Sequence, residues 1–427
     1  MSPDPHALAL VRHTLDNGLR VVLARDARLP LVAINIWYHV GSKNERPGRS
    51  GLAHLFEHLL FEGSAHVGKG MHFAYVQQAG GVANGSTWYD RTNFYETLPS
   101  HQLDLGLWLE ADRMGFSLPA LDQEKLDNQR GVVINERRQR IDNQPYGGAV
   151  ERLYELLFDP GHPYRWSVLG SVQDLEATTL DDVHDFFHTF YAPDNAVLTL
   201  VGDIDPPAAL ARVEHWFGEL PAGAPVPAPK VPTAGLEESR FAVLHDQVQL
   251  ARIYVALRTP AYGQDGWYAA DLLATALAGG KASLLYEDLV YHRQLAQDAG
   301  AYVLPTEEVG ILLLVATARP GVAPEQLRAA LFEHLDRAAA QPLGADTLER
   351  ARNQTLTRHY SRWQTLEQRA DLLGRFATFF DDPASAAAEA GRYRAIGAQD
   401  VLAFAGEHMH RHAVLSVIST PESGGPP

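Results

Sequence analysis

The sequence predicts an α+β protein of two homologous domains, each a largely antiparallel sheet with helices packed mainly on one face. Three observations predict it: a length of 427 residues, a proline-rich segment near the middle, and a helix-then-strand pattern that closes both halves. A chain this long exceeds one comfortable hydrophobic core, so two or more domains are expected. Hydrophobic residues make up 46% and charged residues 21%, which is typical of a globular protein.

The proline-rich segment at residues 220–235 reads LPAGAPVPAPKVPTAG. Proline recurs there without hydrophobic periodicity, which is typical of an extended linker. We therefore predict a first domain at residues 1–220, a linker at 221–235 and a homologous second domain at 236–427.

The two halves end alike. LDDVHDFFHTFYAPDNAVLTLVGD at 180–203 and AQDVLAFAGEHMHRHAVLSVIST at 398–420 each predict a helix, a short turn and an apolar strand. Any chain of mixed helices and strands contains such pairs. Here they fall at the same relative place in each half, which favours an internal duplication.

Strands cluster along the chain rather than alternating strictly with helices. LRVVLARD and PLVAINIWYHVGS predict two early strands joined by a turn. Helices follow, then strands near 81–97, then more helices and the closing strand. This order indicates a largely antiparallel sheet that is covered on one side.

Composition and charge exclude several classes of protein. Cysteine is absent, so disulfides and thiolate metal sites are excluded, and a transition metal would need His, Asp or Glu. The net charge of −16 argues against nonspecific binding to nucleic acid or to an anionic membrane. No run of eighteen apolar residues exists, so no membrane span is predicted. Residues 1–18 lack a basic end followed by a long apolar stretch, so no secretory signal is predicted in this form.

The segment HLFEH at residues 54–58 places two histidines and a glutamate on a predicted helix. Apolar residues around it recur at the spacing of a buried helix face: Leu52, Leu55, Phe56, Leu59 and Leu60. His54, Glu57, His58 and Phe61 repeat that spacing two positions later, which is about 200° around the helix. The histidines therefore lie away from the main core stripe.

Histidines four positions apart are neighbours on a helix face, and both imidazoles can reach one ion at about 2.0–2.1 Å. Glu57 sits beside them, where it could act as a base toward water. The alternative is a solvated polar face, which the apolar Phe61 and the neighbouring leucines make less natural. Other histidines, such as His72 and His162, follow no pairing rule and are predicted to be surface or capping residues.

Two histidines leave a catalytic zinc one protein ligand short. The predicted helix EKLDNQRGVVINERRQR at 124–140 offers Glu136 on a partly apolar face. Burying an unpaired carboxylate is costly, so a buried Glu136 would need a partner, and a nearby zinc ion would be one. The alternative is a surface ion pair with Arg140, which is common and contributes little. The residues alone leave both interpretations open.

HLFEH matches the inverted zinc-peptidase motif H-x-x-E-H, and its surroundings resemble the pitrilysin/insulinase family, particularly its bacterial two-domain and mitochondrial-processing-type members. The similar segments occur in the family's order: GLAHLFEHLLFEGS, QQAGGVANGSTWYDRTNFYETLP, LEADRM, NQRGVVINERRQ and GHPYRWSVLG. In the second half, GGKASLLYEDLVYHRQLA also resembles a helix of that family.

The resemblance implies a zinc-dependent endopeptidase that hydrolyses peptides or unfolded polypeptides. It implies one zinc ion per chain, held by His54, His58 and Glu136, with Glu57 and zinc together activating water. The second domain is expected to lack a metal site.

The polar segment VANGSTWYDRTNFYETL resembles the family's edge strand, which takes the substrate as an added strand. Asn84, Gly85 and Thr87 match its substrate-side positions. The alternative is a plain edge strand with a turn at Asn84–Gly85. Asp90 and Tyr95 are expected to support the site rather than touch substrate.

Residue Gln129 stands where some relatives carry a glutamate that supports the site. Glutamine keeps the capacity to form hydrogen bonds but loses the charge, so the support of the ligands is expected to differ here.

The resemblance also implies a chamber built from four homologous domains. This chain has two, so we expect a dimer, formed with itself or with a related chain. Relatives grip substrate with an arginine and a tyrosine from the half opposite the zinc, and the matching strand VGILLLVATARPG lacks the pair at the expected places. We therefore predict that a zinc-free homologous subunit supplies them.

A noncatalytic or processing-complex subunit of the same family is the alternative function, and the intact H-x-x-E-H motif argues against it. Because bacterial relatives of this size are often exported, and because cysteine is absent, the periplasm is the predicted compartment. The cytoplasm is the alternative.

Overall fold

A computed structural model describes residues 9–232, 235–410 and 412–420. Residues 1–8, which belong to the segment assessed for a secretory signal, lie outside the described residues, as do Thr233 and Ala234 of the predicted linker. Among the described residues, no helix has both the length and the apolar character needed to cross a membrane.

The described residues of the first half form six strands, which are β1 (Leu10–Thr14), β2 (Arg20–Arg25), β3 (Leu31–Tyr38), β4 (Val82–Thr87), β5 (Thr92–Pro99) and β6 (Ala196–Gly202). The helices of this half are α1 (Leu52–Leu59), α2 (Met71–Gln78), α3 (Leu103–Phe116), α4 (Gln123–Arg137), α5 (Ala149–Leu157), α6 (Val172–Ala177), α7 (Leu180–Phe190) and α8 (Pro206–Phe217).

The described residues of the second half form five strands, which are β7 (Arg240–Asp246), β8 (Arg252–Thr259), β9 (Ala296–Leu304), β10 (Gly310–Ala318) and β11 (Ala413–Ser419). Its helices are α9 (Asp265–Ala278), α10 (Pro324–Ala340), α11 (Ala345–Ser361), α12 (Leu366–Phe380), α13 (Ser385–Ala395) and α14 (Ala398–His408).

The strands form two sheets with the same topology. The first sheet has the order β1-β2-β6-β3-β5-β4, and the second has the order β7-β11-β8-β10-β9. Only β2–β6 and β7–β11 are parallel pairs, and the other neighbours are antiparallel. Without β1, each sheet places the first, last, second, fourth and third strand of its half side by side. The predicted fold class is confirmed, and the shared order is what a duplicated half would produce.

The chain forms two compact units whose segments are not consecutive. The first unit takes the described residues within Met1–Glu136, Ser167–Lys230 and Tyr360–Glu389. The second takes those within Arg137–Trp166, Val231–His359 and Ala390–Pro427. The domain boundaries predicted at residues 220 and 236 stay a prediction, because these units do not correspond to a single division of the sequence.

A helix from the opposite half of the sequence covers one face of each sheet. Helix α12 packs on β3 and β6 of the first sheet, and α5 packs on β8 and β11 of the second. The approach of α12 is close, because a Cβ atom added at Gly374 would lie 3.1 Å from the Trp37 ring. On the other face, Ile34 of β3 lies against α3 at Gly106. Strand β3 is consequently buried on both faces.

A buried ion pair between Arg369 of α12 and Asp26, the residue after β2, anchors this helix. We expect Arg369→Met to lower the free energy of unfolding by about 3 kcal/mol, because it leaves a largely buried carboxylate with only the exposed Arg28 as partner. Urea denaturation measures this loss. Arg12→Met is the matched control, since Arg12 pairs with Asp381 at the surface and should change stability by less than about 1 kcal/mol. Equal losses in the two variants would contradict the prediction.

His162 of the second unit, predicted to be a surface or capping residue, is buried, because it stacks on Phe158 with ring centroids 4.2 Å apart. Its Nδ1 accepts a hydrogen bond from the Tyr164 N–H at 3.1 Å. Burial, aided by the charge of Arg258, lowers the pKa of His162 to about 4.

This lowered pKa predicts a loss of stability in acid. The unfolded histidine has a pKa of about 6.5, so between pH 6.5 and 4 the unfolded chain binds more protons than the folded one. The contribution of His162 to the free energy of unfolding should be fully present above pH 6.5 and fall by about 1–3 kcal/mol as the pH approaches 4. His162→Asn, which keeps an acceptor for the Tyr164 N–H, should show a smaller fall between pH 7 and pH 4.5 in chemical denaturation. Parallel stability curves for the two proteins would refute this linkage.

Candidate metal centre

Helix α1 presents the HLFEH segment from a well-fixed N-terminus. Gly51, at φ 88°, precedes the helix. The buried Glu45 carboxylate accepts hydrogen bonds from the backbone N–H groups of Gly51 at 3.0 Å and Ala53 at 2.8 Å. These bonds satisfy donors that a helix start leaves unpaired, and an anion there is favoured by the helix dipole. Leu55 and Phe56 are fully buried, which sets the rotation of the helix and turns the histidines toward α4.

The three predicted metal ligands converge. Glu136 comes from the last turn of α4, a helix held in the core by Val133. Its Oε2 atom lies 3.3 Å from His58 Nε2 and 3.7 Å from His54 Nε2. The two imidazole rings have centroids 4.8 Å apart, and all three donor atoms lie within 4.8 Å of one another.

This donor set fits a zinc ion. Tetrahedral zinc with ligands at about 2.0–2.1 Å needs donor atoms roughly 3.3–3.4 Å apart, close to the two distances to Glu136. Two imidazoles and a carboxylate leave one coordination position, as in catalytic zinc sites. The side chains of His54, His58 and Glu136 are 9%, 25% and 17% exposed, so the cluster is shielded but open on one side.

Glu57 lies between the histidines and strand β4. The Thr87 hydroxyl donates a hydrogen bond to Glu57 Oε2 at 2.7 Å. Burial raises the pKa of Glu57, opposed by that bond and by the positive charges of His58 and Arg91. A carboxylate whose pKa is raised toward neutrality is better suited to accept and return a proton.

Strand β4 runs along the open edge of the first sheet, where it pairs with β5 alone among the described strands. The added Cβ of an alanine at Gly85 would lie 3.2 Å from Glu57 Cγ and 3.1 Å from the Phe61 ring, so this edge lies directly against α1. The predicted alternative of a turn at Asn84–Gly85 is wrong, because β4 continues through both residues and the chain reverses after Thr87.

The hydrogen-bond pattern indicates which backbone groups of β4 face outward. The Trp88 N–H donates to the Arg91 carbonyl at 2.8 Å, so this pair is hydrogen-bonded. Antiparallel pairs alternate, which points the backbone groups of Thr87 and Gly85 away from β5. The Asn84 side chain accepts from the Gly85 N–H at 2.8 Å, consistent with an outward direction of that donor.

The residues predicted to support the site contact other groups or lie on the neighbouring strand. Gln129 donates to Glu62 at 2.8 Å, in the segment that follows α1. Asp90 forms a buried ion pair with Lys43 at 3.2 Å, which fixes the turn after β4. Tyr95 of β5 stands opposite Asn84, half-buried.

A second group of potential ligands lies in the core beneath α1, comprising His72, Glu96 and Glu110. Arg113 already occupies this group, donating to Glu110 at 2.7 and 2.8 Å and contacting His72. A resident guanidinium does not leave room for a divalent cation, so we interpret the group as structural. His72, predicted to be a surface or capping residue, is instead buried in this network.

Sequence reasoning missed Glu45, Lys43, Arg91 and Arg113. The available signal for Arg113 was a group of charged residues among apolar ones, as in LEADRM, whereas Lys43, Glu45 and Arg91 lie in the polar segments GSKNERPG and YDRTNF. A signal of the first kind marks a buried partner without naming it.

A helix bearing H-x-x-E-H, completed by a glutamate from a second helix, has the donor set of the inverted-motif zinc peptidases. Residues 20–160 match the family model described as insulinase (peptidase family M16). Residues 177–355 match the model described as peptidase M16 inactive domain. The chain belongs to the pitrilysin/insulinase family of peptidases, family M16.

Relatives share both sequence and fold with this chain. The zinc protease PqqE of Helicobacter pylori is 31% identical over 373 residues, which cover 86% of this chain and 82% of the relative. A crystal structure of a protease from Helicobacter pylori superposes with a TM-score of 0.90 at 26% identity, covering 96% of this chain and 100% of that chain. The periplasmic protease PqqL from Escherichia coli has the same fold, with a TM-score of 0.78 at 19% identity; the match covers 98% of this chain and 48% of that chain.

Proposed function

We propose that the protein is a zinc-dependent endopeptidase acting on peptides or unfolded polypeptides. The observation that carries this proposal is the convergence of His54, His58 and Glu136 beside Glu57. A zinc-binding or storage protein would have no use for the half-buried Glu57 carboxylate in that position.

Each side chain has a distinct task in the proposed reaction. When held by the two histidines and Glu136, zinc would lower the pKa of water to about 7 and polarise the scissile carbonyl. Glu57 takes the proton from the attacking water and later gives it to the departing amine. The hydrogen bond from Thr87 fixes Glu57 Oε2, which leaves Oε1 on the side of Gly85 for proton transfer.

The substrate is proposed to bind as an added strand on β4. The outward backbone groups of Gly85 and Thr87 would pair with an extended peptide, and this places its backbone beside Glu57. Main-chain hydrogen bonds of this kind give affinity with modest dependence on sequence. Asn84 lies on the same edge. Its Oδ1 atom accepts from the Gly85 N–H and could instead accept a hydrogen bond from the peptide.

We further propose that the active assembly is a dimer that encloses a chamber, in the periplasm. The chain corresponds to 48% of the chain of the periplasmic protease PqqL, so two chains of this length would equal one such protein. A zinc-free homologous subunit would supply the arginine and tyrosine of the substrate grip.

Metal analysis combined with digestion of a mixed peptide library tests the proposal. We expect about one zinc per chain, cleavage at internal bonds, loss of cleavage with a chelator and recovery with added zinc. A zinc-loaded protein that leaves the library intact, alone and with its partner subunit, would refute the endopeptidase. Full activity from a purified homodimer would overturn the proposal that a zinc-free subunit supplies the arginine and tyrosine.

A noncatalytic subunit is the second candidate. The observation in its favour is the match of residues 177–355 to an inactive domain. That match begins after Glu136, however, so it leaves the whole donor set outside. We therefore favour the endopeptidase.

A further inference from the structure

We propose that Arg91 is a positioning residue for the peptidase reaction: it fixes the end of β4 so that Thr87 can hold the Glu57 carboxylate. This inference rests on the proposed function and assigns a role to a residue of the turn that follows the edge strand. Arg91 would act through Thr87 rather than touch the substrate.

The first step in this argument is the set of bonds that Arg91 makes. Its Nη1 atom donates to the Ser86 carbonyl at 2.6 Å, to the Ser86 hydroxyl at 2.6 Å and to Asn93 Oδ1 at 2.9 Å. Ser86 immediately precedes Thr87, so the guanidinium binds the backbone one residue from the hydroxyl that contacts Glu57. Bonds from a charged donor are the stronger kind.

The second step is that these bonds reach the interior of the sheet. The Ser86 hydroxyl donates to Asn93 Oδ1 at 2.7 Å, and the Asn93 amide donates to Asn35 Oδ1 of β3 at 3.1 Å. Both asparagines are buried. The edge strand is thereby tied through β5 to a central strand.

The third step is the support behind Arg91. Its guanidinium carbon lies 5.2 Å from the centroid of the Trp37 ring, within cation–π distance. The Trp37 indole N–H donates to Asp371 of α12 at 3.2 Å. Since Ser86 alternates with Gly85 and Thr87 along β4, Arg91 holds the strand from the face opposite Glu57.

The fourth step is the need for this restraint on β4. We call the bonds from Arg91 to Ser86 and Asn93 the Arg91 clamp. Among the described strands, β4 has a neighbour on one side only, so β5 alone supplies its ladder bonds. The bond from Thr87 to Glu57 tolerates little displacement, and a misplacement of about 1 Å in a catalytic group can cost roughly 10²-fold in rate. An arginine that bridges Ser86 to Asn93 restricts this displacement before any substrate binds.

The test compares Arg91→Gln with Arg375→Gln in the full chain. Arg375 is the matched control, because it lies 6.0 Å from the same Trp37 ring and pairs with Asp371 on its own helix. We expect Arg91→Gln to lower kcat at least tenfold on a fluorogenic peptide with zinc content unchanged, and Arg375→Gln to stay within threefold of wild type. Arg91→Lys, which keeps one charged donor, should recover part of the loss.

A double-mutant cycle with Thr87→Val separates positioning from a general structural role. If Arg91 acts through Thr87, then Arg91→Gln should lower kcat less than threefold further in the Thr87→Val background. Independent, multiplicative losses would overturn the inference, as would an Arg91→Gln enzyme within threefold of wild type.

Amide hydrogen exchange of the segment 82–92 provides a readout that does not depend on activity. Arg91→Gln should accelerate exchange there at least tenfold, whereas Arg375→Gln should not. Unchanged exchange in Arg91→Gln would overturn the inference whether or not the wild-type protein cleaves peptides. Accelerated exchange in a protein without zinc-dependent cleavage would leave the clamp in place and refute only the endopeptidase.

Discussion

Replacing Glu57 by glutamine should abolish peptide cleavage while zinc remains bound. Glutamine keeps the size of the side chain and can still contact Thr87, but it cannot accept the proton of the attacking water. Since general-base catalysis contributes about 10²–10⁴-fold, we expect kcat/KM to fall by at least 10². The measurements are kcat/KM on a fluorogenic peptide and zinc content per chain after dialysis.

Glu124→Gln is the matched control, because it removes the same charge from an exposed residue in the first turn of α4. It should retain activity within twofold of wild type. A zinc-replete Glu57→Gln protein with near-normal cleavage would show that another group serves as the base.

Replacing His54 by alanine is expected to release the metal itself. Its side chain is the most buried of the three proposed ligands, at 9% exposure, so water does not readily take its place. A bound ligand stabilises the folded state by about 4 kcal/mol when present at 1,000 times its Kd, and this stabilisation should disappear in the variant. Zinc per chain and the rise in Tm on adding zinc measure the effect.

His101→Ala serves as the control for loss of a histidine, because His101 is exposed and lies outside the cluster. It should bind zinc and gain Tm as the wild type does. Stoichiometric zinc in His54→Ala after dialysis would rule out the proposed ligand set.

The helix that carries the motif could be predicted because its information is local. The spacing of Leu55, Phe56 and Leu59 fixes which side of α1 is buried, and the structure buries all three. The same spacing places His54 and His58 one turn apart. The residues alone do not decide the role of Glu136, since an acidic residue near the end of a helix is equally typical of a surface ion pair. The structure places Glu136 Oε2 3.3 Å from His58 Nε2, a contact between α4 and α1 that no local pattern specifies.

Other features could not be predicted because they arise from contacts between distant segments. The burial of His72 and His162 depends on Arg113 and Phe158, whose approach no local pattern specifies. The clamp by Arg91 needs a strand, a turn and Trp37 together. Helices α5 and α12 each pack on the sheet formed by the other half of the sequence. A division of the linear chain into two halves therefore cannot predict where they lie.

Helix α12 is translated late, yet it packs on strands translated among the first 202 residues. A nascent chain that has emerged from the ribosome only as far as the proline-rich linker already contains His54, His58 and Glu136 but still lacks helix α12, which packs behind Trp37. The first sheet can therefore reach its final form only after residue 380 has emerged. Gene fragments that encode one half alone should consequently yield insoluble or chaperone-bound polypeptides.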